Sequence, residues 1–287
     1  MVAPAVSPRI AYLGPEGTFT HQAIARVRGL PAAMVTVAAT TVADVVEAVA
    51  GGDADFGIVP FENSVEGQVN LAVDTLIAHA DRVRVRDEVV LGVTFGAYRH
   101  PDDHGPVSAV LSHPVALAQC RRWMRTGGPG VAHHETSSTA EACRTVATGE
   151  HPGLVAVASP TAAATFGLVP VAEGIEDVAG AETRFVVVGA GDAEPTGNDR
   201  TMALVTPPSE GAGILLRVLR PISERGVNIS AIASRPLRAR LGTYCFLLVV
   251  DRHRTDPVLA AALAELEADG ATVVHLGSYP AWTPPDG

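Results

Sequence analysis

Short apolar segments alternate with amphipathic helical segments across residues 10–189, and this alternation constrains the fold more than any other feature. Strands are predicted at 10–13, 83–91, 109–111, 154–158 and 185–189, with one more ending at Pro60. Helices are predicted at 42–49, 114–123 and 139–147 and in the segment that ends at Val27, and residues 133–135 are predicted as loop. Because such repeats place successive strands side by side, we expect parallel sheets with helices on both faces.

The pattern changes after residues 191–200, which hold no apolar residue beyond Ala193 and Pro195 and which we interpret as a linker. Residues 201–280 then follow the order strand, helix, strand, strand, helix, strand. That order is typical of the ferredoxin-like fold, whose sheet has one face covered by helices and edges that can pair with a second copy. The sequence therefore predicts an α/β domain over residues 9–190, a linker at 191–200 and a smaller domain at 201–280.

The charged residues exclude several classes of protein. All 21 basic residues are arginines, so a Schiff-base lysine and a Walker A phosphate loop are excluded. The net charge of −10 argues against nucleic acid as a partner, because affinity for nucleic acid depends on neutralising phosphates. The overall field also does not attract a small anion, so an anionic substrate must be held by local groups.

No motif indicates a metal site, a cofactor or a membrane segment. The three cysteines form no CxxC pair and are predicted to be buried free thiols. His100 and His104 lie in a loop, and no GxGxxG motif follows a strand, which disfavours zinc and nicotinamide sites. No apolar run reaches the ~18 residues of a membrane helix, and residues 1–8 lack a secretory signal. We therefore expect a cytoplasmic location.

Residues 56–64 end an apolar strand with three consecutive polar side chains, Glu62, Asn63 and Ser64. Open α/β sheets bind ligands at the carboxyl ends of their strands, so these side chains form a candidate site. The alternative is a polar turn in which Ser64 caps a helix. The site becomes the better interpretation because several other strand ends carry similar groups.

Four segments share one pattern, an apolar strand followed by small polar residues where a helix begins: 14–19, 60–64, 112–114 and 137–140. Backbone N–H groups and hydroxyls at a helix N-terminus can bind anions. We expect these segments to line one cleft, where the candidate substrate-binding residues are Thr18, Ser112, His113, Ser138 and Thr139. A fifth segment, 182–185, carries Arg184, which could bind a carboxylate through two hydrogen bonds, although a solvated surface arginine is the simpler explanation in isolation.

Nine segments, taken in order, resemble prephenate dehydratases that carry a regulatory ACT domain. In the first part of the chain they are AYLGPEGTFTHQA, FGIVPFENSVEG, LSHPVALAQC, STAEA, ASPTAAATFGL and the TRF at 183–185. In the second part they are GILLRVL, RGVNISAIASRP and HLGSYP. The resemblance implies a bilobal α/β catalytic domain of the periplasmic-binding-protein type, with the active site in its cleft, and a C-terminal ferredoxin-like ACT domain.

The resemblance also implies a reaction, the decarboxylative dehydration of prephenate to phenylpyruvate in L-phenylalanine biosynthesis, without a cofactor. Such an enzyme is a carbon–oxygen lyase. No chorismate mutase segment precedes Ile10 in this sequence, so the monofunctional form is expected.

Specific roles follow from the same resemblance. Thr183 would be the essential catalytic residue, a hydrogen-bond donor to the leaving hydroxyl. Arg184 and Phe185 would lie beside it, with Asn63 and Ser64 facing it. Arg184 and the helix N-termini would hold the substrate carboxylates, and a neighbour such as Glu62 or Glu182 would supply the proton.

Two ACT domains would pair and bind L-phenylalanine at their interface, which implies a homodimer or a homotetramer. The positions transferred to this chain are Gly213, Leu215, Asn228, Ser234 and Arg235. Three departures stand out: Ala181 stands where an asparagine is usual, Ala233 replaces the glutamate of the ESRP motif, and Pro221 falls in the middle of a predicted helix, where it is expected to kink the chain.

Three alternatives stay open at the level of sequence. An arogenate dehydratase or a prephenate decarboxylase would keep the fold and change the chemistry, although retention of Thr183-Arg184-Phe185 disfavours the decarboxylase. A non-catalytic cytoplasmic amino-acid sensor would keep the fold without any reaction.

Overall fold

Three sheets organise the chain, and the computed structural model describes residues 7–31, 33–126, 131–236 and 244–284. The strands are β1 (Arg9–Leu13), β2 (Val35–Ala39), β3 (Phe56–Asn63), β4 (Gly67–Gln68), β5 (Arg84–Gly92), β6 (Gly96–Arg99), β7 (Ala109–Ser112), β8 (Ala132–Glu135), β9 (Leu154–Ala158), β10 (Val169–Glu173), β11 (Glu182–Gly189), β12 (Asp199–Thr206), β13 (Ile229–Pro236), β14 (Tyr244–Asp251) and β15 (Thr272–Pro280). The helices are α1 (Phe19–Ile24), α2 (Val42–Gly51), α3 (Asn70–Ala78), α4 (Pro114–Gln119), α5 (Arg121–Thr126), α6 (Thr139–Ala147), α7 (Pro160–Thr165), α8 (Ile214–Ser223) and α9 (Pro257–Ala268).

The first lobe is built on the sheet β2-β1-β3-β11-β5, with the short strand β4 paired to β3. Side chains alternate between the two faces of this sheet, as the strand pleat requires. Ala11 of β1 packs in the core that contains α2 and α3, whereas Ile10 and Tyr12 pack in the core on the α1 side. Both faces are therefore apolar, which explains why the strands appear in the sequence as continuous apolar runs.

The second lobe is built on the sheet β10-β6-β9-β7-β8. Helices α4 and α5 cover one face, where Leu117 and Met124 pack with Val110 and Val155. Helices α6 and α7 cover the other face, where Cys143 and other small side chains pack against β7 and β9. The predicted bilobal α/β architecture is thus confirmed.

Two crossing segments join the lobes, one between β5 and β6 and one between β10 and β11. They touch where the Val93 N–H donates to the Ala181 carbonyl at 2.7 Å. On its return to the first lobe, β11 inserts between β3 and β5 and runs antiparallel to both. The first-lobe sheet is therefore mixed, and the second-lobe sheet is mixed because β6 runs antiparallel to β9 and β10. The expectation of parallel sheets holds for the pairs β1–β2, β1–β3, β7–β8 and β7–β9.

Several local predictions need correction. Residues 133–135, predicted as loop, lie in β8, and the single helix predicted at 114–123 is two helices that meet at Cys120. Helix α1 ends at Ile24 rather than Val27. Residues 60–64 do not begin a helix, because β3 turns at Asn63 into β4 before α3 begins.

The C-terminal domain has the antiparallel sheet β13-β14-β12-β15, with α8 and α9 on one face. This arrangement confirms the predicted ferredoxin-like βαββαβ unit. Strand β12 begins at Asp199, so the last two residues of the predicted linker belong to the sheet.

The second face of this C-terminal sheet packs directly on the first lobe. In β14, Phe246, Leu248 and Val250 face α8 and α9, whereas Leu247 and Val249 join the core of the first lobe. Strand β15 approaches β5 so closely that a Cβ atom on Gly277 would lie 2.1 Å from the Val85 carbonyl oxygen. The two domains therefore share one apolar core and are not independent bodies on a loose linker.

Within the described residues, no helix is long and apolar enough to cross a membrane.

Candidate active site

A cavity of about 750 Å³ lies between the two lobes. The first lobe contributes Thr18 from the loop after β1, Asn63 from the end of β3 and Thr183 from the start of β11. The second lobe contributes His113 at the start of α4 and residues 137–139 at the start of α6. Strand ends from both sheets thus converge on one cleft, as open α/β folds arrange their ligand sites.

Asn63 and Thr183 form the central polar contact of the cavity. The Asn63 Nδ2 donates to the Thr183 Oγ1 at 2.9 Å. The Asn63 Oδ1 accepts from the Val65 and Glu66 N–H groups at 2.8 and 3.1 Å, so the amide nitrogen must face the threonine. Because the Thr183 oxygen accepts this hydrogen bond, its own proton remains available for a ligand in the cavity.

Strand register explains why these two side chains meet. In the antiparallel pair of β3 and β11, Thr183 lies opposite Asn63 and Arg184 lies opposite Glu62. Directly opposed residues share one face of a sheet, and the next pair along the strands lies on the other face. The pleat therefore separates Asn63 and Thr183 from Glu62 and Arg184.

Arg184 does not line the cavity and is not placed to hold a substrate carboxylate. Its Nη1 donates to the Glu88 Oε2 at 2.6 Å, and its Nε donates to the Glu62 Oε2 at 3.3 Å. The nearby carboxylates outweigh burial and raise the pKa of the Arg184 guanidinium. Glu62, predicted as a possible proton source, likewise faces Arg184 rather than the cavity.

Ser64 and Ser112 also lie outside the cavity lining. The Ser64 Oγ accepts from the Glu182 N–H at 2.9 Å, and the Ser64 N–H donates to the Glu182 carbonyl at 2.9 Å. Ser112 is fully buried and donates to the Val157 carbonyl at 2.6 Å. Ser64 thus joins β3 to β11, and Ser112 joins β7 to β9, which places both behind the site as structural residues.

The remaining predicted substrate-binding residues, Thr18, His113, Ser138 and Thr139, do line the cavity. Thr18 and Ser138 cap α1 and α6, with their hydroxyl oxygens accepting from backbone N–H groups at 3.3 and 3.0 Å. The His113 Nδ1 caps α4 by accepting from the Val115 N–H at 3.3 Å. Burial lowers the pKa of His113, against the opposing effect of Glu66 and Glu135. The imidazole is therefore neutral near pH 7 and carries its proton on Nε2.

The sequence did not predict several polar residues of the cavity, among them Glu66, Gln119 and Arg144. The Gln119 Nε2 donates to the Glu66 Oε1 at 3.3 Å, which connects the second lobe to the first. Arg144 pairs with Glu141 on the exposed side of α6. Gln119 lies in the matched segment LSHPVALAQC, and Arg144 lies two residues after the matched STAEA, so their places in or beside matched segments were the available signal.

Apolar side chains complete the cavity. Phe185 is 1% exposed and forms part of the floor, where it packs with Ile10 and Tyr12. Phe19 and Phe95 approach edge to face, with ring centroids 5.6 Å apart. A ligand with a ring and charged ends would thus meet apolar walls between polar groups.

The five positions transferred for L-phenylalanine lie in the regulatory domain. Gly213 precedes α8 in a left-handed conformation with φ of 80°, and Leu215 is 39% exposed. The Asn228 Nδ2 donates to the Asp251 Oδ2 at 2.6 Å. Ser234 lies in β13 opposite Phe246. Arg235 contacts Asn70 and Asp74 of α3, so it lies at the contact with the first lobe.

Among the described residues, no group of three or more His, Cys, Asp or Glu side chains is arranged to hold a metal ion. The described cavity lining accordingly offers hydroxyl, amide, imidazole, carboxylate and guanidinium groups as its polar chemistry. Such a site can donate hydrogen bonds, transfer protons and orient a charged ligand.

Comparison with known proteins decides which reaction this site serves. The family described as "Prephenate dehydratase" matches residues 10–193, and the ACT domain family matches residues 210–268. The chain belongs to the prephenate dehydratase family. The prephenate dehydratase of Mycobacterium tuberculosis (strain H37Rv) is 39% identical over 284 residues, which cover 95% of this chain and 87% of that protein.

Solved structures agree on the fold. The crystal structure of a prephenate dehydratase from Arthrobacter aurescens, in complex with L-Phe, has a TM-score of 0.84 and 35% identity, covering 95% of this chain and 90% of that chain. A chain described as a novel type of quorum quenching acylase has a TM-score of 0.82 and 27% identity, covering 96% and 98%. Since one fold can carry different reactions, the assignment rests on the family match and on sequence identity.

Membership of the prephenate dehydratase family confirms the predicted activity. The chain is a carbon–oxygen lyase that converts prephenate to phenylpyruvate, and its C-terminal ACT domain is regulatory. A purely non-catalytic sensor is thereby disfavoured.

Proposed function

We propose that Thr183 donates its hydroxyl proton in a hydrogen bond to the leaving hydroxyl of prephenate, and that Asn63 orients it for this task. The observation that carries the proposal is the 2.9 Å hydrogen bond from the Asn63 Nδ2 to the Thr183 Oγ1 at the wall of the cavity. Thr183 is 8% exposed, so its hydroxyl is shielded from bulk water on all sides but the cavity. A preorganised donor in such a place stabilises developing negative charge strongly.

The chemistry requires few groups. The ring C–O bond breaks with its electron pair leaving on oxygen, and the bond to the ring carboxylate breaks with its electron pair entering the ring. Carbon dioxide departs, one proton converts the leaving hydroxyl to water, and the ring becomes aromatic. The protein must therefore supply a hydrogen-bond donor and a proton at one end of the substrate and hold two carboxylates elsewhere.

Arg144 is the proposed partner of one substrate carboxylate, in place of Arg184. It lines the cavity five residues after Thr139, the first residue of the nine-residue helix α6. A carboxylate between the helix N-terminus and the guanidinium would meet both a favourable dipole and a bidentate donor. The neutral His113 would add a hydrogen-bond donor rather than a charge.

Glu66 is the proposed proton source, in place of Glu62 or Glu182. The acidic side chains of the described cavity lining are Glu66 and Glu141, and Glu141 is paired with Arg144. The Glu66 N–H donates to the Asn63 Oδ1 at 3.1 Å, so its backbone lies beside the Asn63–Thr183 pair. The Glu66 side chain can then relay a proton from water to the leaving oxygen.

The regulatory domain is proposed to bind L-phenylalanine between two copies of the chain, which would form a homodimer or a homotetramer in the cytoplasm. The Arthrobacter relative is a complex with L-Phe, and it is 35% identical to this chain. In this chain, Leu216 is 62% exposed and Ile232 is 45% exposed, so apolar surface is available in α8 and β13. Light scattering with and without L-phenylalanine measures the number of copies.

The substrate can be tested directly. The protein is incubated with prephenate or with arogenate, with and without L-phenylalanine, and the product is identified by mass spectrometry. Phenylpyruvate formed from prephenate, at a kcat/KM at least tenfold above that for arogenate, is the expected result. Preferred turnover of arogenate would overturn the choice of substrate, and a non-aromatic decarboxylated product would overturn the reaction.

A further inference from the structure

Glu88 is a buried carboxylate held by arginines from two different domains. It lies in β5 of the first lobe and is 1% exposed. Its Oε2 accepts from the Arg184 Nη1 at 2.6 Å. Its Oε1 accepts from the Arg200 Nη1 at 2.5 Å and from the Trp282 N–H at 2.8 Å. A buried charge of this kind depends on its partners, because isolated burial of a carboxylate is strongly unfavourable.

These partners connect the regulatory domain to the catalytic strand. Arg200 is the second residue of β12, and Trp282 follows β15, so both belong to the regulatory domain. Arg184 directly follows Thr183 in β11. One carboxylate therefore joins the regulatory domain to the residue next to the proposed hydrogen-bond donor.

The backbone next to Thr183 needs such an anchor. The register between β11 and β3 shifts between Arg184 and Phe185, so the hydrogen-bond ladder is irregular at this point. A β-bulge of this kind changes the direction in which the side chains on either side of it point. Arg184 is fixed on the opposite face by Glu88 and Glu62. Holding Arg184 on that face holds Thr183 toward the cavity, since the two residues are adjacent in one strand.

We propose that Arg200 and Glu88 are positioning residues of the dehydratase reaction, which act on Thr183 through Arg184. The regulatory domain thereby takes part in arranging the catalytic strand. This inference rests on the proposed role of Thr183, and it assigns neither Arg200 nor Glu88 any contact with the substrate.

The first test compares Arg200→Met with Arg252→Met. Arg252 is a matched control in the same domain, because its Nη1 donates to the Asp256 Oδ2 at 2.8 Å within the regulatory domain. Arg200→Met is expected to lower kcat about tenfold while KM for prephenate stays within about twofold, since positioning acts on the reaction step. Arg200→Lys is expected to recover most of the loss, and Arg252→Met is expected to retain wild-type kcat.

The second test asks whether the effect passes through Arg184. In an Arg184→Met background, Arg200→Met is expected to cause little further loss of kcat, because the connecting residue is already absent. All rates are normalised to the folded fraction measured by circular dichroism. If the two substitutions lower kcat independently, so that their fold-changes multiply in the double variant, the inference is overturned. A normalised kcat for Arg200→Met equal to that of Arg252→Met, or a change confined to KM, would also overturn it. Full activity of a Thr183→Val variant would instead overturn the proposed function itself.

Discussion

The two faces of the paired ends of β3 and β11 differ in chemistry. On the cavity face, Asn63 and Thr183 form a neutral amide–hydroxyl contact. On the opposite face, Glu62 and Arg184 form an ion pair that continues to the buried Glu88. The residues on the two faces are adjacent in the chain. One step along β11, from the hydroxyl of Thr183 to the guanidinium of Arg184, therefore moves from the cavity face to the opposite face.

The difference shows how the charges of this protein are distributed. Under the proposed role of Thr183, a neutral donor leaves its end of the cavity free for the ring oxygen, whereas a guanidinium there would attract a substrate carboxylate. The cation on the opposite face is used for structure and joins the sheet to the regulatory domain. The comparison predicts that substitutions on the cavity face change the rate with little effect on stability, whereas substitutions at Arg184 on the opposite face lower stability and also lower the rate through the position of Thr183.

The largest expected effect is on the cavity face. Thr183→Val keeps the shape of the side chain and removes the hydroxyl, so kcat is expected to fall by about 10²–10³ while the midpoint of thermal unfolding changes little. The rate of phenylpyruvate formation gives kcat, and calorimetry gives the midpoint of thermal unfolding. Thr183→Ser, which keeps the hydroxyl, is the control and should keep most of the activity. A Thr183→Val variant with more than about a tenth of wild-type kcat would contradict the role.

The next effect is on the opposite face. Arg184→Met removes a charged hydrogen bond from the buried Glu88, so the free energy of unfolding is expected to fall by about 1.5–3 kcal/mol. Urea denaturation measures it. Arg82→Met is the control, because Arg82 is 66% exposed and pairs with the exposed Asp81. Equal stability of the two variants would show that the Glu88 contact is not a stabilising anchor.

A smaller effect is expected for Asn63→Asp. The carboxylate still accepts from the Val65 and Glu66 N–H groups but no longer donates to Thr183. Loss of one hydrogen bond is worth about 0.5–1.5 kcal/mol, so kcat is expected to fall about twofold to tenfold. In a Thr183→Val background the same substitution should have less effect, because the acceptor is gone. If Asn63→Asp lowers kcat by the same factor in both backgrounds, Asn63 does not act through Thr183.

The smallest effect is expected for Glu62→Gln. Glu62 is 47% exposed, and exposed ion pairs contribute about 0–1 kcal/mol, so both stability and kcat should stay near the wild-type values. Steady-state kinetics and urea denaturation check this. A fall in kcat of tenfold or more would instead restore the initial hypothesis that Glu62 supplies the proton.

Local sequence patterns predicted most of the helices and strands but not which strands lie side by side in the sheets. The alternation of strands and helices gave the α/β domain, and the later order of elements gave the ferredoxin-like unit. The insertion of β11 between β3 and β5 could not be predicted, because it depends on the path of the chain through the second lobe. The order of elements predicted helices on one face of the C-terminal sheet, but only the structure shows that the first lobe covers the other face.

The candidate site shows the same limit. Thr183 and Asn63 were identified through the family resemblance, and the structure places them 2.9 Å apart. Glu62, Asn63 and Ser64 were treated as one group because they are consecutive, yet the pleat sends Glu62 to the opposite face. Arg144 and Gln119 lie within helices, whereas the predicted site residues lie at strand ends and at the starts of helices, so the sequence pattern did not indicate these two.

The sequence alone determined which side chains this protein can use: hydroxyls, amides and arginines at strand ends, with no lysine and a strongly negative net charge. It also determined the two fold classes, because periodicity and turn residues are local properties of the chain. The tertiary structure decided which of those side chains meet. Strand register placed Thr183 against Asn63 and turned Arg184 toward Glu88 and the regulatory domain, because pairing between distant strands is set by packing rather than by local sequence.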